Sequence, residues 1–278
     1  MSSTVFLAVL FAAALHAGWN AVLKVRIEPL LAVTLVNGSG AVFGGAMLLV
    51  TGWPRAEAWP WLAASTALHV AYALSLSAAY RRADMGLVYP VARGSAPLLT
   101  MLGSLLLVRD PLAPLAVLGI VTLASGIGLL AFKGRRGLDR AALPYALLTA
   151  VVISLYTLSD GVGARRAADP SAYIAALFAL DGVACLAVVL ALRGRAALAP
   201  MASALGPGIA GGLMSLGAYW IAVWAMTVAP IALVAAVRET SVLFAVAIAT
   251  VILREPLLPH RVASAALIVT GLVLVRIA

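Results

Sequence analysis

The sequence predicts an all-α integral membrane protein of ten transmembrane helices, built as two inverted five-helix repeats. Three observations carry that expectation. Of 278 residues, 64% are hydrophobic and only 10% charged, with a mean hydropathy of +1.10. A soluble domain carries about 25% charged residues, so the apolar excess is what lipid-facing helices need. Apolar segments recur along the whole chain between short polar corners, leaving no room for a soluble domain. Finally, a constant shift of 145 residues carries Arg93 onto Arg238, Arg109 onto Arg254, Pro111 onto Pro256, Leu112 onto Leu257, Pro114 onto Pro259 and Gly126 onto Gly271, with Asp110 meeting the acid Glu255.

The segments fall at roughly 4–23, 30–51, 58–80, 87–108, 115–132, 141–163, 171–192, 203–226, 231–253 and 262–276. At 1.5 Å per residue, a span crosses the ~30 Å hydrocarbon layer with about 20 residues. Most segments reach that length, and the shortest are marginal. Several prolines stand at segment starts, where a missing N–H costs nothing. Pro90 and Pro97 fall inside the fourth segment and should kink it, freeing backbone carbonyls. Gly40 with Gly44, and Gly208 with Gly212, have the four-residue spacing that lets helices approach closely.

The corners set the orientation. Those after the odd-numbered segments hold Lys24, Arg26, Arg81, Arg82, Lys133, Arg135, Arg136, Arg140, Arg193, Arg195, Arg254 and Arg261. The other corners and the tail hold Arg55, Arg109, Arg165, Arg166 and Arg276. Cytoplasmic loops carry the Lys/Arg excess, so the odd corners are expected in the cytoplasm and both termini outside. The net charge of +9 is accounted for by such anchors. It forms no basic patch interleaved with aromatics, and nucleic acid is not expected as a partner. The single cysteine, Cys185, excludes a disulfide framework and a cysteine metal site. The N-terminus lacks the basic residues of a cleavable signal, and its apolar run reads as the first span.

Five spans per copy, an odd number, force the second copy (139–278) to enter the membrane upside down relative to the first (1–138). An axis in the membrane plane is the geometry of alternating access. The motifs ADMGLVYPVARGSAPLL and RDPL, with their echoes RETSVLFA and REPL, resemble the EamA-type repeats of the drug/metabolite transporter superfamily. The first-segment run HAGWNAVLK is similar to that family as well. The resemblance implies a ten-helix transporter of the bacterial inner membrane, many members exporting amino acids and other small metabolites. It does not fix the substrate. The second copy lacks a Tyr-Pro pair and has Glu239 where the first has Gly94, so the halves are not expected to bind alike.

Charged residues within the spans are the candidate chemistry. An arginine at a helix centre costs roughly +2.5 to +3.5 kcal/mol on insertion scales. Arg93 should therefore face the interior, to capture a substrate carboxylate or phosphate, to form a structural ion pair, or to snorkel to the headgroups. Arg238 and Glu239 are helix neighbours about 100° apart and must each find a partner elsewhere. Asp181, mid-span, reads either as a proton carrier or as the standing partner of an arginine; Glu239 is a second proton-coupling candidate. Asp160 lies near its span's end and reads as hydrated.

His16, Trp19 and Asn20 share one helix face, as do His69 and Tyr72, Tyr156 and Asp160, and Trp220 and Trp224 beside Tyr219. With Tyr89, these would line a cavity for an amphipathic ligand, or form an interfacial belt of the kind Trp53, Trp59 and Trp61 suggest. The expected substrate site is Trp19, Asn20, His69, Tyr72, Tyr89, Arg93, Trp220, Trp224 and Arg238. His16 and His69 are too isolated from carboxylates in sequence for a metal site, and neither metal nor cofactor is expected. No phosphate-binding GxxxxGK[ST] loop is present, so a proton or substrate gradient is the expected drive rather than ATP. The alternative is a membrane enzyme or flippase acting on a lipid-linked substrate, for which only the corner acids Asp84, Asp110 and Glu255 are placed.

Overall fold

A computed structural model describes residues 1–22, 27–80, 85–133, 143–252, 254 and 258–278. Among them every element is helical: α1 Ser3–Val22, α2 Pro29–Thr51, α3 Trp59–Tyr80, α4 Met85–Gly103, α5 Pro114–Lys133, α6 Leu143–Arg166, α7 Pro170–Arg193, α8 Leu198–Ser203, α9 Leu205–Val228, α10 Ile231–Glu239, α11 Ser241–Ala247 and α12 Pro259–Ile277. Nine helical stretches of the described residues are long and apolar enough to cross a membrane, and a shorter apolar one covers Pro114–Leu130. The chain is an integral-membrane type of helical protein. Large aliphatic side chains such as Leu49, Val50, Leu106 and Leu107 stand exposed on its outer surface, as a lipid-facing surface requires.

The helix starts follow the chemistry of the corners. Pro29, Pro170 and Pro259 occupy the first turn of their helices, where the ring removes an N–H that has no partner anyway. Asp169 caps α7 by accepting from the Ser171 amide at 2.8 Å. The helix α4 continues through Pro90 and Pro97. Pro97 has no N–H to donate to the Arg93 carbonyl in the i→i−4 ladder. The ninth span, expected over 231–253, is one apolar stretch Ile231–Val251. Within it α10 ends at Glu239 and α11 begins at Ser241, and the Leu243 amide closes a tight turn on the Thr240 carbonyl at 2.8 Å.

Two corners share a local design. Wide-turn helical segments, Ser104–Val108 after α4 and Ile248–Ile252 after α11, each lead to an arginine in the left-handed region, Arg109 at φ 61° and Arg254 at φ 55°. A non-glycine side chain at positive φ is uncommon, and these two stand 145 residues apart.

Packing pairs α2 with α7, α5 with α12, α3 with α6, and α1 with α9. The glycines expected to allow close approach do so. A Cβ on Gly44 would fall 2.7 Å from the Ala175 carbonyl oxygen, and one on Gly212 would fall 3.0 Å from that of Val36. The α5–α12 seam is as tight: Gly126 packs on Ile268, and Gly271 packs on Leu123. The two termini lie together on one face, where Arg276 Nη2 donates to Ser3 Oγ at 2.7 Å.

Candidate functional site

The polar side chains of the spans converge on a central cavity of about 80 Å³. Its described lining comes from α1 (His16, Trp19), α2 (Asn37), α3 (His69, Tyr72), α4 (Arg93), α6 (Tyr156), α7 (Phe178, Asp181), α9 (Ser215, Tyr219) and α10 (Arg238). No described residue of α5 or α12 lines it. That pair packs as a separate seam, while the other long helices surround the cavity.

Arg93 is 2% exposed, so it does not snorkel. Its Nε lies 2.7 Å from Glu239 Oε2, a charge contact whose angle falls outside hydrogen-bond geometry. Its Nη2 reaches Ser241 Oγ at 3.4 Å and His16 Nε2 at 3.2 Å. The other His16 nitrogen, Nδ1, faces the Trp19 indole N–H at 3.2 Å. A neutral imidazole offers one acceptor, so it satisfies Trp19 or Arg93 but not both. Arg238 lies with its guanidinium 5.4 Å from the Tyr219 ring centroid, a cation–π distance. Among the described residues no carboxylate forms an ion pair with Arg238. This end of the cavity holds two guanidiniums and one carboxylate.

The opposite end is acidic and aromatic. His69 Nδ1 lies 3.3 Å from Asp181 Oδ2 and 3.0 Å from the Ser65 carbonyl. Its ring stacks on Tyr156 at 4.3 Å and meets Tyr219 edge-on at 5.8 Å. Asp181 thus pairs with a histidine rather than an arginine. The same contact corrects the isolation of His69 from carboxylates, since the 111 intervening residues fold away. Even so, no group of three or more metal-binding side chains occurs among the described residues.

Asp160 departs most from expectation. It is fully buried rather than hydrated. The helix α6 runs on to Arg166, which puts Asp160 well inside the bundle, and two tyrosines replace water. Tyr173 donates to Oδ1 at 2.9 Å, and Tyr219 donates to Oδ2.

Of the sequence-predicted site residues, Trp19, His69, Tyr72, Arg93, Asp181 and Arg238 line the cavity, and Glu239 is buried against Arg93. The Tyr89 side chain lies outside the described residues. Asn20 turns back along its own helix, donating to the His16 carbonyl at 2.8 Å. Trp220 and Trp224 pack against apolar clusters, not against the cavity. The neighbouring Tyr219 takes the place expected of them, because a residue one step along a helix points about 100° away and its hydroxyl finds Asp160. Asn37, Phe178, Ser215 and Ser241 escape the sequence reading. Asn37, a lone amide in an apolar span, was the one visible signal among them.

One face of the bundle is held by a clasp away from the cavity. Asp110 accepts from Arg165 Nη1 at 2.7 Å and Nη2 at 3.0 Å, from Ser104 Oγ at 3.2 Å, and from the Ile231 amide at the start of α10 at 2.9 Å. Arg165 also donates to the carbonyls of Met226 and Ala229. Partial burial raises the Asp110 carboxyl, but the Arg165 hydrogen bond, the Ile231 amide, the Arg165 charge and Ser104 outweigh it and hold it below its ordinary value. The clasp joins the ends of α4, α6 and α9 and the start of α10. Of the other corner acids expected for a membrane enzyme, Asp84 and Glu255 lie outside the described residues.

No protein-family model matches the chain, and no curated protein matches it. Among solved structures, a chain described as "Crystal structure of protein" superposes with a TM-score of 0.80. It is 21% identical, and the match covers 100% of this chain and 98% of that one. At that identity the likeness speaks for the fold alone.

Proposed function

We propose that the protein is a secondary transporter of the drug/metabolite superfamily, in which two inverted repeats, 1–138 and 139–278, alternate access to one central site. The observation that carries this reading is that Arg93 and Arg238, matched at a shift of 145 residues, are both buried and line the same cavity. Residues at equivalent places in two copies meet at one point when an axis relates the copies and passes near that point.

The packing supports such an axis. The Gly126–Ile268 contact becomes the Gly271–Leu123 contact when the shift is applied in both directions, which is the signature of an isologous seam. The same exchange turns the α3–α6 pair into α9–α1, and leaves α2–α7 and α5–α12 as self-matching pairs. The left-handed arginines Arg109 and Arg254 repeat it again.

The cargo is a small metabolite, polar or amphipathic, such as an amino acid or a related compound. Two guanidiniums, Arg93 and Arg238, against the one carboxylate of Glu239 suit a carboxylate or phosphate, and Tyr156, Tyr219 and Tyr72 offer flat surfaces for the remainder. The cavity, at about 80 Å³, is far below the roughly 300–1,000 Å³ of ligand sites. The cavity is therefore read as occluded, with the Asp110–Arg165 clasp holding the helix ends of one face together. Export, a proton or substrate gradient as drive, and the bacterial inner membrane with both termini outside complete the reading; it is not an enzyme.

The test is flux. Purified protein in liposomes, screened with amino acids, sugars, phosphonates and quaternary amines, should move at least one labelled compound saturably without ATP. Accumulation of a modified lipid with no compound moved would replace transport with a membrane enzyme.

A further inference from the structure

The spans bury three carboxyl groups, Asp160, Asp181 and Glu239, and their surroundings differ in kind. Asp160 accepts a tyrosine hydroxyl on each oxygen. A carboxylate whose oxygens are both engaged by O–H donors is stabilised as the anion. Glu239 faces Arg93 at 2.7 Å with Arg238 next along the helix. Neutralising it would leave two buried guanidiniums with no carboxylate beside them. Asp181 has neither arrangement. Its Oδ2 has the 3.3 Å contact with His69 Nδ1. The Thr66 hydroxyl is the neutral partner of its carboxyl, and its buried Oδ1 has no charged group in hydrogen-bond geometry.

His69 adds direction. Its Nδ1 lies 3.0 Å from the Ser65 carbonyl, which can only accept, so Nδ1 carries a hydrogen. With that tautomer the N–H is shared among the Ser65 carbonyl, the Ser65 hydroxyl at 3.2 Å and Asp181 Oδ2, so the histidine gives the aspartate only part of one donor. The groups facing Asp181 from the packed elements are His69 from α3, Asp160 and Tyr156 from α6, Tyr219 from α9 and Arg238 from α10, with Tyr173 on its own helix. Asp160 is the nearest negative charge among them, and two carboxylates sharing a site disfavour a second ionisation.

We propose that Asp181 is the group that binds and releases the coupling proton, with His69 setting its affinity and Asp160 held in place beside it by the Tyr173 and Tyr219 hydroxyls. This deepens the transport reading and rests on it for the word "coupling". The proton binds at Asp181 Oδ1, on the cavity wall shared with Arg238. Its uptake removes one negative charge from the acidic end of the cavity while the cationic end keeps its own balance. Asp160 and His69 are positioning residues: they act on the proton through Asp181.

The experiment reads the proton directly and needs no substrate. The full chain in liposomes is titrated while infrared difference spectra follow the carbonyl stretch of a protonated carboxylic acid, in H2O and D2O. The wild type should gain one such band on acidification, and Asp181→Asn should lose it. Asp160→Asn and Glu239→Gln should keep it. His69→Phe preserves the ring on Tyr156 but removes the donor, and should move the band's midpoint to higher pH by about one unit, a tenfold change in proton affinity. This variant decides the matter if Asp181→Asn fails to fold, since an unmoved midpoint overturns the assignment. A band that survives in Asp181→Asn, or vanishes in Asp160→Asn or Glu239→Gln, also overturns it. The two readings part in the flux assay. A band lost with Asp181 but no flux of any compound keeps the proton site and sinks transport; pH-driven flux with no titrating carboxyl keeps transport and sinks the site.

Discussion

Arg93 on α4 and Glu239 on α10 form an ion pair across the two halves of the chain, at 2.7 Å, with both side chains 3% exposed. Removing one partner of a buried pair costs about 3–5 kcal/mol, because the survivor keeps its charge without compensation. Glu239→Gln should therefore lower the melting temperature in detergent strongly, and Arg93→Met comparably. The double variant Arg93→Met/Glu239→Met should recover most of the loss while abolishing flux. Additive losses in the double variant would show that the pair is not coupled in the folded state.

Arg238 should behave oppositely. It lies over Tyr219 and makes no ion-pair contact among the described residues, so its removal breaks no salt bridge and leaves Glu239 with Arg93. Arg238→Gln is expected to melt within about 1 kcal/mol of wild type, the scale of one cation–π contact, yet to lose flux of any anionic compound. A large drop in melting temperature with normal flux would assign Arg238 to structure.

These contrasts mark what the sequence could and could not tell. The membrane-type helical class was legible because lipid demands long apolar runs. The buried arginines were legible for the same reason: charge stands out in an apolar span. Which face of a helix turns inward was not. Trp220 and Tyr219 are adjacent letters, and only the distant Asp160 decides between them. Asp160 itself was misplaced because the span's end is set three residues later than hydropathy suggests, at Arg166, whose guanidinium lies over Trp61. Nor does any local pattern announce that His69 meets Asp181, since pairing across helices is a property of the assembled bundle.

The glycine seams give a graded test. A Cβ at Gly271 would fall 2.5 Å from the Leu123 amide nitrogen, whereas one at Gly38 meets nothing within 4 Å. Gly271→Leu should therefore separate α5 from α12 and destabilise by about 1–3 kcal/mol, the usual scale of overpacking. Gly38→Ala should be neutral or slightly stabilising, since alanine is the better helix former. Both are read from thermal unfolding in one detergent; equal behaviour would mean the seam is looser than described.

The Asp110–Arg165 clasp predicts a pH effect of definite sign. The Asp110 carboxyl is held below its ordinary value, near 3.9 for an unperturbed aspartate. Its contribution to stability is therefore complete above that value and falls away as acid carries the pH down through the lower, folded-state value. Thermal stability of wild type should decline across that acidic window more steeply than that of Asp110→Asn, which lacks the ionisation, and the two curves should converge at the acid end. At neutral pH, Asp110→Asn should also free the ends of α4, α6 and α9 from the start of α10. A cysteine introduced at Ser215 on the cavity wall, in a Cys185→Ala background, should then react faster with a water-soluble thiol reagent than in the intact clasp. An unchanged labelling rate, with the stability difference present, would make Asp110 a brace of that face rather than a closure of the cavity.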